Sequence, residues 1–109
     1  MLKPILGSVN SERVLLYIMA RGRGYAREIA RFFDADPDSI QKQLAKFEQG
    51  GVLVTRQVGR TVLYEFNPRY PFRTEVDALL RKALTFYPES ARELLTMERR
   101  RPRRRGKPL

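Results

Sequence analysis

Neither cysteine nor histidine occurs among the 109 residues of the chain. Without thiols there is no disulfide framework and no thiolate to hold a metal; without imidazoles the commonest metal ligand and the commonest general acid–base are also missing. No glycine-rich phosphate loop is present, and the acidic residues form no cluster spaced for a metal or for paired-carboxylate catalysis. The expectation is a protein that is not an enzyme and uses no cofactor and no metal. No apolar run approaches the roughly 18 residues of a membrane span. Residues 1–8 lack the long apolar region and cleavage site of a secretory signal. A soluble, cytoplasmic protein with no membrane partner is therefore expected.

What is present suits one folded unit. Hydrophobic residues make up 42% of the chain, an ordinary share for a globular domain, and the length suffices for a core of its own or a shared dimer core. The net charge of +10 points to a polyanionic partner, but its placement is uneven. Arg99, Arg100, Arg101, Arg103, Arg104, Arg105 and Lys107 are seven of the 22 basic residues, and all 12 acids precede them. Residues 1–98 thus carry 15 basic against 12 acidic side chains, a net +3. The folded part is only mildly basic, and residues 99–109, nearly devoid of apolar side chains, read as a disordered basic tail.

Along the chain, residues 2–7 form a short apolar lead-in, and Ser8 or Asn10 is suited to cap the helix that follows. Val14, Leu15, Ile18 and Met19 form its apolar stripe over residues 12–21, and Gly22-Arg-Gly24 stops it. Residues 25–33 give a short amphipathic helix with Ala26, Ile29, Ala30 and Phe33 on one face. Residues 34–36 are a turn in which Asp34 must adopt left-handed φ, which Asp tolerates better than most residues. Asp36-Pro-Asp-Ser39 is a helix start, with an acceptor at the cap, proline in the first turn and an acid beside it. Ile40, Leu44 and Phe47 set the buried face of this third helix, residues 37–49; Ser39, Lys42, Gln43 and Lys46 are assigned to the opposite face. Strands over 52–58 and 61–66 flank Gly59-Arg60, which suits a type II′ turn. Val62, Tyr64 and Phe66 alternate onto one strand face. Broad apolar stripes follow over residues 72–87, and Pro88 opens a further short helix with Ala91, Leu94 and Leu95 on one side.

The fold class expected from this order is mainly α with a small β-hairpin: three helices, a hairpin, a fourth helix and a short C-terminal helix. That is the outline of a winged helix-turn-helix, with residues 1–87 as the DNA-binding domain and 88–98 as a dimerisation extension. Ala26-Arg-Glu-Ile-Ala-Arg31, Ile40-Gln-Lys-Gln-Leu44, Phe47-Glu-Gln-Gly-Gly-Val-Leu53, Val58-Gly-Arg60 and Tyr64-Glu-Phe-Asn-Pro68 resemble ArsR/MarR-like winged helix-turn-helix transcriptional regulators over roughly residues 5–85. The resemblance implies a homodimer whose third helix enters the major groove while the wing follows the backbone or minor groove. The chain departs from it in two respects. It lacks the Cys and His of the metal-sensing branch, which excludes a soft-metal sensor, and it has Asp34 and Ala35 where a glycine and a larger apolar residue are usual.

A major groove about 12 Å wide admits one α-helix. On the third helix Gln43 is suited to bidentate adenine contact, Lys42 to guanine, Ser39 and Gln41 to adaptable polar contacts, and Lys46 to phosphate. Arg27 on the preceding helix and Arg56, Gln57 and Arg60 on the hairpin extend the expected DNA contact. A solvated helix face and a charge-protected sheet edge are the plainer readings of the same residues; placement in the third helix of this order favours the DNA reading. The basic tail is either an arm along the DNA backbone or a solubilising segment. The broad apolar stripes after Pro68 favour a homodimer. The rival function is a winged-helix protein–protein interaction module or an accessory, antitoxin-like protein with weak nonspecific nucleic-acid binding. RNA is disfavoured because its deep, narrow major groove does not admit a helix. The partners expected are double-stranded DNA and a second copy of the chain; no residue set identifies an effector.

Overall fold

A computed structural model of the chain describes residues 1–97. The basic tail and its six arginines lie outside the described residues. In chain order the elements are α1 (Lys3–Leu6), α2 (Val9–Arg21), β1 (Gly24–Tyr25), α3 (Ala26–Phe33), α4 (Pro37–Gln49), β2 (Leu53–Val58), β3 (Thr61–Phe66), α5 (Arg73–Leu84) and α6 (Glu89–Met97). The helix over 37–49 and the strand over 61–66 have the bounds their residue patterns predict. The helix expected from residue 12 starts three residues earlier, because Ser8 is its cap and accepts a hydrogen bond from the Ser11 N–H at 3.0 Å. The lead-in contains the one-turn helix α1.

The centre of the molecule is α2. Val14, Leu15, Leu16, Tyr17, Ile18, Met19 and Ala20 are all buried, so the helix is covered on every side rather than along one stripe. It touches the other five helices and both β1 and β3. Ile29 and Ala30 of α3, Ile40, Leu44 and Phe47 of α4, Leu80 and Ala83 of α5 and Leu95 of α6 close over it. Leu95 is 1% exposed, so α6 contributes to the same core.

The α3–α4 turn depends on Asp34, which adopts φ 52° and ψ 48°; the Ala35 N–H then reaches the Ala30 carbonyl at 2.9 Å. Ala35 packs against the core from a partly buried position. Asp36 caps α4, accepting from the Ser39 N–H at 3.2 Å.

The hairpin is part of a three-stranded antiparallel sheet in the order β1-β3-β2. In register, Leu53 faces Phe66, Thr55 faces Tyr64 and Val58 faces Thr61. Gly59 has φ 62° and Arg60 is not among the positive-φ residues, as a type II′ turn requires. The third strand is the unexpected one: Gly24 pairs with Tyr64 and Tyr25 with Leu63. A Cβ on Gly24 would lie 3.0 Å from both Ile29 Cδ1 and Tyr17 Cδ1. Glycine lets this strand lie against the core. Of the three residues expected on one face of β3, Tyr64 and Phe66 pack on the core, whereas Val62 is exposed because the hairpin tip extends past it.

Candidate nucleic-acid interface

Helix α4 is presented edge-on to the core, and the 100° step per residue sorts its side chains into three groups. Ile40, Leu44 and Phe47 point inward. Asp38, Lys42, Ala45 and Gln49 lie on the opposite side and are exposed, with Gln41 and Glu48 exposed on the flank nearest the hairpin. Gln41 donates from Nε2 to the Tyr64 hydroxyl at 2.9 Å, and Glu48 accepts from the Thr55 hydroxyl at 3.2 Å. These two bonds join α4 to the sheet.

Ser39, Gln43 and Lys46 stand on the other flank, and here the structure differs from the expected free polar face. The Ser11 hydroxyl donates to Gln43 Oε1 at 2.6 Å, and Asn10 Nδ2 donates to the Ser39 hydroxyl at 2.7 Å. Lys46 Nζ donates to the Leu6 carbonyl at 3.1 Å and to the Ser11 hydroxyl at 3.0 Å. It also lies 4.8 Å from the Phe47 ring centroid. All three side chains are engaged by the α1–α2 segment, which the helical period of residues 37–49 alone could not foresee.

Between α3, α4 and the hairpin lies an open cleft of about 580 Å³ lined by Tyr25, Ala26, Arg27, Gln41, Arg60, Thr61, Val62 and Tyr64. It brings together three residues singled out from the sequence, Arg27, Gln41 and Arg60, and adds the Tyr25 and Tyr64 side chains. Its lining contains two guanidinium groups and no carboxylate. Arg27, Arg60 and Lys42 make no ion pair among the described residues. Arg56 is different: it spans the hairpin to Glu65 at 3.0 Å, so its charge is partly answered within the sheet. Gln57 donates to the Gly59 carbonyl at 3.1 Å and braces the turn.

Behind this face, Glu12 is buried at 2% exposure on α2. It accepts from the Leu2 N–H at 2.6 Å and from the Tyr87 hydroxyl. Burial alone would raise its pKa, but the hydrogen bonds from Tyr87 and Leu2 together with the hydrogen bond and charge of the Met1 ammonium, 3.2 Å away, outweigh burial and hold it below the usual carboxylate value. Burial also pushes the Tyr87 and Tyr17 hydroxyls well above their ordinary range. At the other end of α2, Arg21 donates to the Leu94 and Leu95 carbonyls at 3.0 and 3.1 Å, fastening the end of α6. Among the described residues no group of three or more acids is placed to hold a metal ion, and no helix is long and apolar enough to cross a membrane.

Two packed helices joined by a tight turn, followed by a twisted hairpin on the same side, define a winged helix-turn-helix. Solved structures agree with this. Reduced HlyU from Vibrio cholerae superposes with a TM-score of 0.61 at 18% identity, covering 81% of this chain and 86% of HlyU. YusO from Bacillus subtilis gives 0.54 at 17% identity, over 94% and 78% of the two chains. The adhesin competence repressor AdcR from Streptococcus pyogenes gives 0.51 at 11% identity, over 86% and 78%. At these identities the likeness establishes the fold. No protein-family model matches the chain, and no curated protein matches it in sequence.

Proposed function

We propose that this protein is a sequence-specific, double-stranded DNA-binding transcriptional regulator that works in the cytoplasm as a homodimer and represses its targets. The observation that carries the reading is the cleft between α3, α4 and the wing. Arg27 and Arg60 face it without acidic partners among the described residues, and the exposed side of α4 adjoins it. An α-helix with a polar outer face suits the major groove, and flanking guanidinium groups suit the phosphates on either side. In this reading α4 enters the groove and the β2–β3 wing follows the backbone or the minor groove, with Arg60 and Gln57 at its tip and Arg56 along it. Of the α4 residues singled out from the sequence, Lys42 and Gln41 are exposed toward the DNA in this reading, and Ser39, Gln43 and Lys46 flank them against the α1–α2 segment. The basic tail, with Arg99, Arg100, Arg101, Arg103, Arg104 and Arg105, adds a salt-sensitive arm without base preference.

Dimerisation would come from the exposed apolar side chains of the C-terminal half. Phe72, Phe86 and Leu94 are each at least 55% exposed. A two-fold pair would set two α4 helices about one DNA turn, roughly 34 Å, apart. AdcR, similar in fold, is named a repressor, which supports repression as the mode of action.

The test is titration of the protein, with and without residues 99–109, against duplex DNA, single-stranded DNA and structured RNA at several salt concentrations. Genomic fragments retained by the protein supply the specific duplex. Duplex binding with a sequence preference that survives removal of the tail is expected. Binding that ignores sequence and vanishes with the tail would sink the reading in favour of a protein–protein module.

A further inference from the structure

Ser39, Gln43 and Lys46 follow one another at helical spacings of four and three, so they form a single stripe along α4. Every one of them is hydrogen-bonded to the segment formed by α1 and the first turn of α2. The hub is Ser11, which is 0% exposed. Its hydroxyl donates to Gln43, accepts from Lys46 and lies 2.8 Å from the Ser8 hydroxyl. Asn10 holds Ser39 and is itself held by Arg13, whose Nη1 donates to Asn10 Oδ1 at 3.0 Å. Arg13 in turn sits 5.5 Å from the Phe33 ring centroid. On the other flank, Gln41 and Glu48 are bonded to Tyr64 and Thr55 of the sheet. Helix α4 is therefore gripped along both flanks by side chains that lie behind it.

We infer that Asn10 and Ser11 are positioning residues that set the roll of α4 about its own axis, so that Lys42, and Gln41 through the amide atoms its bond to Tyr64 does not use, read base edges while Ser39, Gln43 and Lys46 hold the helix in place. The inference rests on the DNA-binding reading and deepens it by dividing the polar residues of α4 into two groups. The geometry explains why roll matters. Side-chain tips lie about 5–6 Å from a helix axis, so a roll of about 20° carries them about 2 Å sideways. Hydrogen bonds to base edges tolerate only about 0.5 Å in length. A small rotation would take Gln41 and Lys42 out of register while leaving the helix in its groove. The four latch bonds oppose that rotation, and Asn10 and Ser11, the side chains that hold α4 from behind, are short and have few rotamers to lose.

Ser11 offers a clean perturbation because, fully buried beneath α4, it cannot itself touch DNA. Ser11→Ala removes the hub hydroxyl without adding volume or charge. Preferred duplexes would be selected from a randomised library with the full-length wild type, Ser11→Ala, Gln41→Ala and Gln43→Glu. Gln43→Glu keeps the acceptor for Ser11 but removes the amide donor that adenine recognition needs. Leu80→Val, a core change on α5 that touches none of these bonds, serves as the destabilised control. Thermal melting of each variant is recorded alongside. The expected result is that Gln41→Ala weakens preference at one base pair per half-site by about tenfold. Ser11→Ala should blunt preference at the base pairs read by Gln41 and Lys42. Gln43→Glu should lower affinity for all duplexes but keep their ranking, and Leu80→Val should keep it too. If Gln43→Glu changes the preferred base while Gln41→Ala does not, the assignment is overturned. It is equally overturned if Ser11→Ala loses thermal stability but keeps the wild-type ranking, because Ser11 then only supports the core. A wild type without any preferred duplex overturns both this inference and the regulator reading beneath it.

Discussion

Arg60 carries the sharpest quantitative prediction. It stands in the hairpin turn, lines the same cleft as Arg27 and has no ion-pair partner among the described residues. If it meets a phosphate, Arg60→Ala removes one contact per protomer and two per homodimer. Each phosphate contact contributes about 0.9 to the slope of log affinity against log salt, so the slope should become shallower by about 1.8. Between 50 and 200 mM salt, the ratio of wild-type to variant affinity should therefore narrow about tenfold. The loss should be the same for specific and scrambled duplexes, since phosphates carry no sequence information directly. Arg56→Ala is the internal comparison: Arg56 already faces Glu65 at 3.0 Å, and its removal should change the slope less. Fluorescence anisotropy on two duplexes over a salt series measures all of this. An unchanged slope for Arg60→Ala, or a loss confined to one duplex, would refute the wing contact.

Three further outcomes are expected. Gly24→Ala should cost about 1–3 kcal/mol, because the new methyl would meet Ile29 and Tyr17 at 3.0 Å; a melting temperature lowered by less than about 4 °C would show that the core yields there. Glu12 has a depressed folded pKa, so its contribution is present above the ordinary carboxylate pKa of about 4.3 and is lost as pH falls through the folded value. Glu12→Gln should therefore be less stable than wild type at neutral pH, by about 1.5–3 kcal/mol for lost charge-assisted hydrogen bonds. The gap should close in acid; melting curves from pH 7 down to 3 that stay parallel would contradict this. Leu94, 55% exposed on α6, is proposed to lie in the dimer interface. Leu94→Asp should sediment at the 12.8 kDa chain mass with its fold intact, where wild type sediments at twice that; equal masses would remove α6 from the interface.

The parts of the fold that were legible from residues alone are those set by local chemistry. Asp36-Pro37 starts α4 where a cap followed by proline must start a helix, and Gly59 turns the hairpin because its position needs φ of 62°. Asp34 takes the left-handed turn for the same local reason. The parts that were not legible are set by distant partners. Strand β1 has two residues, too few to show any alternation, and exists only because Tyr64 and Leu63 of β3 lie beside it. The central role of α2 was understated because Leu16 and Tyr17 fall outside the apparent stripe. Tyr17 meets Phe32 and Phe33 of α3, and α2 also packs on α5 and α6, all of which arrive later in the chain. Residue patterns report how many faces are apolar, whereas only the assembled structure shows how many faces are covered.

The same distinction governs the candidate site. A helical wheel separates the buried side of α4, around Ile40, Leu44 and Phe47, from everything else, and so Ser39, Lys42, Gln43 and Lys46 fell into one polar class. In the structure that class divides by neighbour. Lys42 is exposed and makes no hydrogen bond or ion pair among the described residues, whereas Gln43, Ser39 and Lys46 are bonded to Ser11, Asn10 and Leu6. The signal for this lay in the run Gly7-Ser8-Val9-Asn10-Ser11, where more small polar residues occur than one helix cap uses. One of them, Ser8, caps α2; Asn10 and Ser11 remain available for another element, and α4 is the element they meet. Electrostatics follows the same logic. A net charge of +10 did little to locate an interface, because most of the excess lies in residues 99–109. A cleft with two guanidinium groups and no carboxylate in its lining is where the proposed reading places one, on a body whose residues 1–98 carry a net +3. If the proposed reading holds, that local arrangement would direct a polyanion once it comes within a Debye length of about 8–10 Å.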